Sequence, residues 1–179
     1  VLPTLSNARR VVVEGHIAVV EEGTNLGGPA GHLEVLDISA PAWPRYLGRI
    51  EQTVDKSGIL LRQGLLYVGV PGETLKVYDL RQPARGSYPE LASLKMPNDP
   101  VGGRKAPVWR LAAEGDLLYM ANDEWVRVFD ITDPAAIREV ARIRSNGGAT
   151  DIAVANQRAY VLGPATGVNT GRPSLQIYD

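Results

Sequence analysis

Arg10, Arg110 and Asp151, with Trp109 beside the second arginine, are the residues of this chain best suited to hold a small ligand. Two guanidiniums converging on a concave mouth suit a carboxylate or phosphate, because each offers a planar fork of N–H donors. The other reading pairs one arginine with Asp151, so that both only fill a rim. Four further carboxylates, Asp37, Asp79, Asp130 and Asp179, recur at 42, 51 and 49 residues and could be mistaken for one acidic site. Their regular spacing argues against that. Each is expected to cap its own turn by accepting bonds from nearby backbone N–H groups.

Metal and nucleophile chemistry finds little support. His16 and His32 are the only histidines. A hairpin pairing of 16–20 with 32–37 sets them at opposite ends, about 13 Å apart at roughly 3.3 Å per residue, too far to share an ion. No metal site follows from them. The chain has no cysteine, which removes disulfides, thiolate metal sites and Cys-His nucleophiles. A Gly-x-Ser-x-Gly elbow, a His-Glu-x-x-His helix and a phosphate loop are all missing. No cofactor is implied, and the chain reads more as a non-enzyme than as an enzyme.

The elements carrying these residues come from a repeat. Leu33-Glu34-Val35-Leu36-Asp37, Leu75-Lys76-Val77-Tyr78-Asp79, Val126-Arg127-Val128-Phe129-Asp130 and Leu175-Gln176-Ile177-Tyr178-Asp179 are versions of one phrase. Upstream of each, two apolar runs flank a tight polar connection holding Gly15, Gly64, Gly115 or Asn156. Such residues most easily accept the positive φ of a hairpin turn. Downstream, Asp130-Ile131-Thr132-Asp133-Pro134 and its relatives at Asp37 and Asp79 stop the ladder with proline. Further β-like stretches follow at 45–50, 90–95 and 137–143. Helix is scarce, and the one segment with a helical start, Pro134-Ala135-Ala136-Ile137, is read as a single turn.

Each unit is thus a four-stranded antiparallel meander that cannot bury both faces alone, so copies must stack around an axis. The fold is predicted to be an all-β β-propeller with four consecutive blades, at about 6–52, 53–97, 98–145 and 146–179. The last blade lacks its outer strand. Residues 1–5 supply either that strand or the end of a preceding blade. An open arc leaves two apolar faces in water. At about 25 cal/mol per Å², several hundred Å² per face costs on the order of 10 kcal/mol. That favours a segment of a larger propeller, completed by blades or by another protein chain, over self-closure.

The Leu-x-Val-Tyr-Asp and Val-x-Val-Phe-Asp-Ile-Thr-Asp-Pro phrases, with Gly-x-Leu-Tyr-Val hairpins upstream, resemble LVIVD repeats from about Asn7 to Asp179. The resemblance implies a propeller from an exported or cell-surface protein, with poorly defined activity. It also implies an acidic residue at the start of each innermost strand. Asp151 keeps it, whereas Arg10, Ile59 and Arg110 stand in the equivalent places.

Composition limits the partners. Nineteen basic residues against 20 acidic ones leave a net charge of −1, with no field to attract nucleic acid. No apolar run approaches the roughly 18 residues needed to span a bilayer. The chain opens at Val1 without a signal-type stretch, as a processed chain or a piece of a longer one would. Insertions at 21–31 and 163–173 leave the same blade edge and could carry recognition, while 98–107 reads as a surface linker. The functional expectation is a non-catalytic interaction or scaffold module, secreted or at the cell surface. The alternative is a propeller holding a small anion at its channel mouth.

Overall fold

The computed structural model describes residues 8–23, 31–51, 58–70, 74–81, 86–96, 108–122, 125–145, 148–164 and 173–179. All of its regular structure is strand. The first sheet runs in chain order through β1 (Ala8–Glu14), β2 (Ile17–Glu22), β3 (His32–Asp37) and β4 (Arg45–Glu51). The second holds β5 (Gly58–Arg62), β6 (Leu65–Val70), β7 (Thr74–Asp79) and β8 (Glu90–Lys95). The third holds β9 (Val108–Glu114), β10 (Leu117–Asn122), β11 (Trp125–Asp130) and β12 (Arg138–Arg144). The fourth has three strands, β13 (Asp151–Ala155), β14 (Arg158–Pro164) and β15 (Pro173–Tyr178). Among the described residues no helix is long and apolar enough to cross a membrane. Residues 1–5, most of both insertions and the 98–107 linker lie outside the described residues.

Two-residue turns make the hairpins possible, and they come in two kinds. Gly15 (φ 57°) and Gly115 (φ 56°) open their turns with one left-handed residue, followed by His16 and Asp116. Gln63 (φ 52°) with Gly64 (φ 71°), and Asn156 (φ 54°) with Gln157 (φ 63°), place two left-handed residues in succession. Both kinds twist the chain in the sense that antiparallel strands require. A common bond then ties each repeat phrase back to its hairpin. The N–H groups of Ile38, Leu80 and Ile131 donate to the carbonyls of His16, Gly64 and Asp116 at 2.8–2.9 Å.

Beyond the phrase, proline shapes a turn rather than a helix. Ala136 N–H donates to the Asp133 carbonyl at 3.0 Å, and Trp43 N–H to the Ala40 carbonyl at 2.8 Å. Pro134 and Pro41 thus sit second in hydrogen-bonded β-turns, where their fixed φ fits. The single turn expected at 134–137 is this β-turn. A four-to-one bond satisfies the short connection, and β12 begins at Arg138. The outer strands β4 and β12 then each take one extra residue. The register skips Leu47 opposite Val35/Leu36 and Val140 opposite Val128/Phe129, a bulge at the same place in two sheets.

The polypeptide divides into two compact units. One comprises Val1–Asp55, Leu60–Tyr67 and Val77–Leu91; the other comprises Lys56–Ile59, Val68–Lys76 and Ala92–Asp179. In the first, Val19, Leu33, Val35 and Ile50 share one buried face of the β1–β4 sheet. In the second, Ala121 and Val126 of the third sheet pack with Ala149, Ile152, Ala159 and Val161 of the fourth. These alanines let the sheets approach closely, so small residues set the spacing there.

Candidate functional site

The first strands of two sheets position the charged groups. Arg110, on β9, donates from Nε to Asp151 Oδ1, on β13, at 3.0 Å, and the same oxygen accepts from Ile152 N–H at 2.9 Å. Both side chains are nearly half exposed. An ion pair in such a wet setting is worth about 0–1 kcal/mol. It orients the arginine more than it stabilises the fold. Arg10 lies on β1, in the other unit, and Trp109 lies on β9 with its side chain outside the described residues. The structure therefore brings Arg110 together with Asp151, and Asp151 spends Arg110 Nε on an internal bond.

The repeat aspartates are held locally. Asp37 Oδ1 accepts from Ser39 N–H at 2.8 Å, and Arg45 grips Oδ2. Asp79 Oδ1 accepts from Arg81 N–H at 2.9 Å, with the Arg81 guanidinium on both oxygens. Asp130 Oδ1 accepts from Thr132 N–H at 3.0 Å and Oγ1 at 2.7 Å, while Arg138 Nη2 reaches Oδ2 at 2.7 Å. Asp179 differs: it accepts from Arg158 Nε at 2.6 Å, a side-chain partner in place of a turn N–H. The arginine behind each aspartate comes from the outer strand in two sheets and from the turn itself in another.

These bonds set a pH response. The side-chain bond from Arg45 holds the Asp37 carboxyl far below the usual range, with Ser39 adding to it. Thr132 and then Arg138 do the same for Asp130, and Arg81 lowers Asp79. A depressed folded pKa contributes stability that is present above the unfolded value near 3.9 and is lost as pH falls through the folded one. Replacing Asp130 by Asn is therefore expected to lower the thermal midpoint at pH 7 and to lower it distinctly less near pH 2, where the unfolded carboxyl is already protonated. Melting curves across that range measure it. An equal loss at both pH values would refute the capping role.

A different pair of carboxylates links neighbouring sheets, and sequence reading missed it. Glu14 ends β1 and accepts from Gln63 N–H at 2.6 Å and Gly64 N–H at 2.7 Å, both in the β5–β6 turn. Glu114 ends β9 and accepts from Asn156 N–H at 2.9 Å and Gln157 N–H at 2.8 Å, both in the β13–β14 turn. The receiving turns are the two with consecutive left-handed residues. One carboxylate thus satisfies two adjacent turn N–H groups that lack ladder partners. The faint sequence signal is Glu-Gly at 14–15 and 114–115, with Gln-Gly or Asn-Gln one repeat later. Glu114→Ala is expected to cost about 1–2 kcal/mol, allowing for partial exposure. Amide exchange should quicken at Asn156 and Gln157; unchanged exchange there would disprove the clasp.

Beside the Glu14 clasp lies a cleft of about 490 Å³. Ile17, Leu47, Leu61 and Leu80 give it apolar walls, with Glu14 and Asp37 among its polar groups. Both carboxylates are committed, Glu14 to the facing turn and Asp37 to Ser39 and Arg45. The cleft can take apolar groups, but these two acids hold the fold there.

No family model matches the chain, and no curated protein matches its sequence. Among solved structures, the chain is similar to the computationally designed Ika4 protein, with a TM-score of 0.66 and 14% identity. That likeness covers 98% of this chain and 94% of Ika4. The computationally designed Ika8 protein matches with a TM-score of 0.60 at 14% identity, over 86% of this chain and 42% of that one. At such identity the likeness is one of fold, an all-β arrangement of four antiparallel sheets.

Proposed function

We propose that the chain is a non-catalytic interaction or scaffold module, its four sheets being blades of a β-propeller of the LVIVD kind from an exported or cell-surface protein. One observation carries the reading. In the fourth sheet, Leu162 pairs with Leu175 and Tyr160 with Ile177, so their side chains share a face. Leu175 is 63% exposed and Ile177 56% exposed, with Leu162 also open to solvent. In the first sheet, Val11, Val13 and Tyr46 are likewise exposed on one face, lying along the ladders through Val20, Ala18 and Leu36.

Branched and aromatic residues in cross-strand register are what one sheet offers another. Exposed apolar surface of this kind marks an interaction site. The occupants proposed for these faces are further blades, contributed by the same protein or by another chain. The near full-length likeness to Ika4 supports reading the four sheets as one repeating architecture.

Sedimentation of the 19.3 kDa chain tests the proposal. The wild type is expected to associate beyond the monomer. Leu175→Glu with Ile177→Glu should return it to monomer mass with its strand content intact. A stable wild-type monomer would sink the idea of unfilled faces and favour a ring closed by residues 1–5.

A further inference from the structure

Glu22 ends β2, His32 begins β3, and Glu34 follows two residues later. Pairing of Glu21 with Leu33 sets Glu22 opposite His32, and the two-residue period of a strand turns Glu34 to the same face. His32 Nε2 lies 3.2 Å from Glu22 Oε2 and 3.4 Å from Glu34 Oε1. One ligand atom from each of the three lies within 4.8 Å of the others. Both glutamates are 9% exposed. The second oxygen of Glu22, Oε1, is buried and has no hydrogen-bond partner.

We propose that Glu22, His32 and Glu34 form a three-ligand site for a divalent transition-metal ion, with Zn²⁺ as its simplest occupant. Metal–nitrogen and metal–oxygen bonds near 2.0–2.2 Å, arranged tetrahedrally, separate neighbouring ligand atoms by about 3.4 Å. The two His32 contacts have that spacing. One imidazole with two carboxylates, one of them able to chelate through both oxygens, is a donor set that borderline metals accept, and water or a partner's side chain can still complete it by expansion to five-coordination.

An imidazolium bridging two glutamates would explain the same two contacts. It would still leave Glu22 Oε1 shut away from water with nothing donating to it, whereas a cation gripped by both oxygens satisfies the whole carboxylate. Arg49, opposite Glu34 on β4, donates from Nε to Glu51 at 2.7 Å. Two acids in so dry a place favour added positive charge, which a divalent ion supplies.

Calorimetric titration of Zn²⁺ into the chelator-dialysed chain, with melting curves alongside, tests the site. One Zn²⁺ per chain and a raised midpoint are expected for the wild type and for His16→Ala, whose histidine stands at the other end of β2. Glu22→Gln keeps the shape and removes a buried charge. It should melt at or above the metal-free wild type, yet bind Zn²⁺ at least tenfold more weakly. His32→Ala should lose binding to the same degree. A wild type that takes up no Zn²⁺, or a Glu22→Gln chain that titrates like it, overturns the assignment. If His32→Ala fails to fold, Glu22→Gln decides alone.

Discussion

Glu139→Ala is expected to destabilise the chain by about 3 kcal/mol, because it removes a carboxylate partner from a buried arginine. Arg127, in the middle of β11, is only 2% exposed and is among the largest fully buried side chains. Its Nη1 donates to Glu139 Oε2 at 2.7 Å. The bulge at Val140 sets Glu139 opposite Phe129, two residues from Arg127 on the same face. Breaking one partner of a buried pair costs about 3–5 kcal/mol. Partial exposure of Glu139 argues for the lower end of that range. Removing both charges should be far milder, so Arg127→Met with Glu139→Leu is expected near wild-type stability. Urea unfolding at constant slope separates the two results. A Glu139→Ala loss under about 1 kcal/mol would mean that Arg127 is held mainly by something else.

Gly163→Ala should be as damaging for a different reason. A Cβ at this position on β14 would stand 1.9 Å from the Gly148 carbonyl oxygen, a backbone atom that cannot rotate away. That backbone is fixed on both sides. Ala149 N–H donates to the Asn122 carbonyl at 3.1 Å, and Thr150 N–H to the Leu162 carbonyl at 2.8 Å. Relief requires moving one strand end, at a cost of about 3 kcal/mol or more. Gly115→Ala is the control. Its φ of 56° disfavours alanine, but an added Cβ there meets nothing within 4 Å. A loss of about 1 kcal/mol is expected for it. Thermal midpoints of the two variants compare steric with conformational cost. Equal losses would contradict the close approach at Gly163.

The strand order was legible because each repeat phrase ends on a residue with a local duty. Asp37, Asp79 and Asp130 bond two positions ahead, so their role is written in adjacent residues. The hairpins were legible for a similar reason, since Gly15, Gly115 and Asn156 mark backbone that most residues avoid. The phrase misleads at its second position. Glu34, Lys76, Arg127 and Gln176 occupy a slot that alternation assigns to solvent. In a stack of sheets both faces of a blade can be covered, and Arg127 and Glu34 are buried. Contacts between sheets were hidden altogether. Glu14 and Gln63 are 49 residues apart, and nothing local announces that they meet. The metal cluster was missed because 21–31 read as an insertion, whereas β2 continues through Glu22.

The two kinds of hairpin carry a rule of parity. Glu14 and Glu114 belong to sheets whose own turns open with glycine, and each clasps a turn of the doubly left-handed kind. At the place of those glutamates the second and fourth sheets carry Arg62 and Ala155, which cannot repeat the grip. Givers and receivers therefore alternate, and the true structural period is two sheets. A stack of sheets extended on this rule keeps every clasp only when sheets are added in pairs. Lengthening or shortening such a protein should succeed by whole pairs and falter by single sheets.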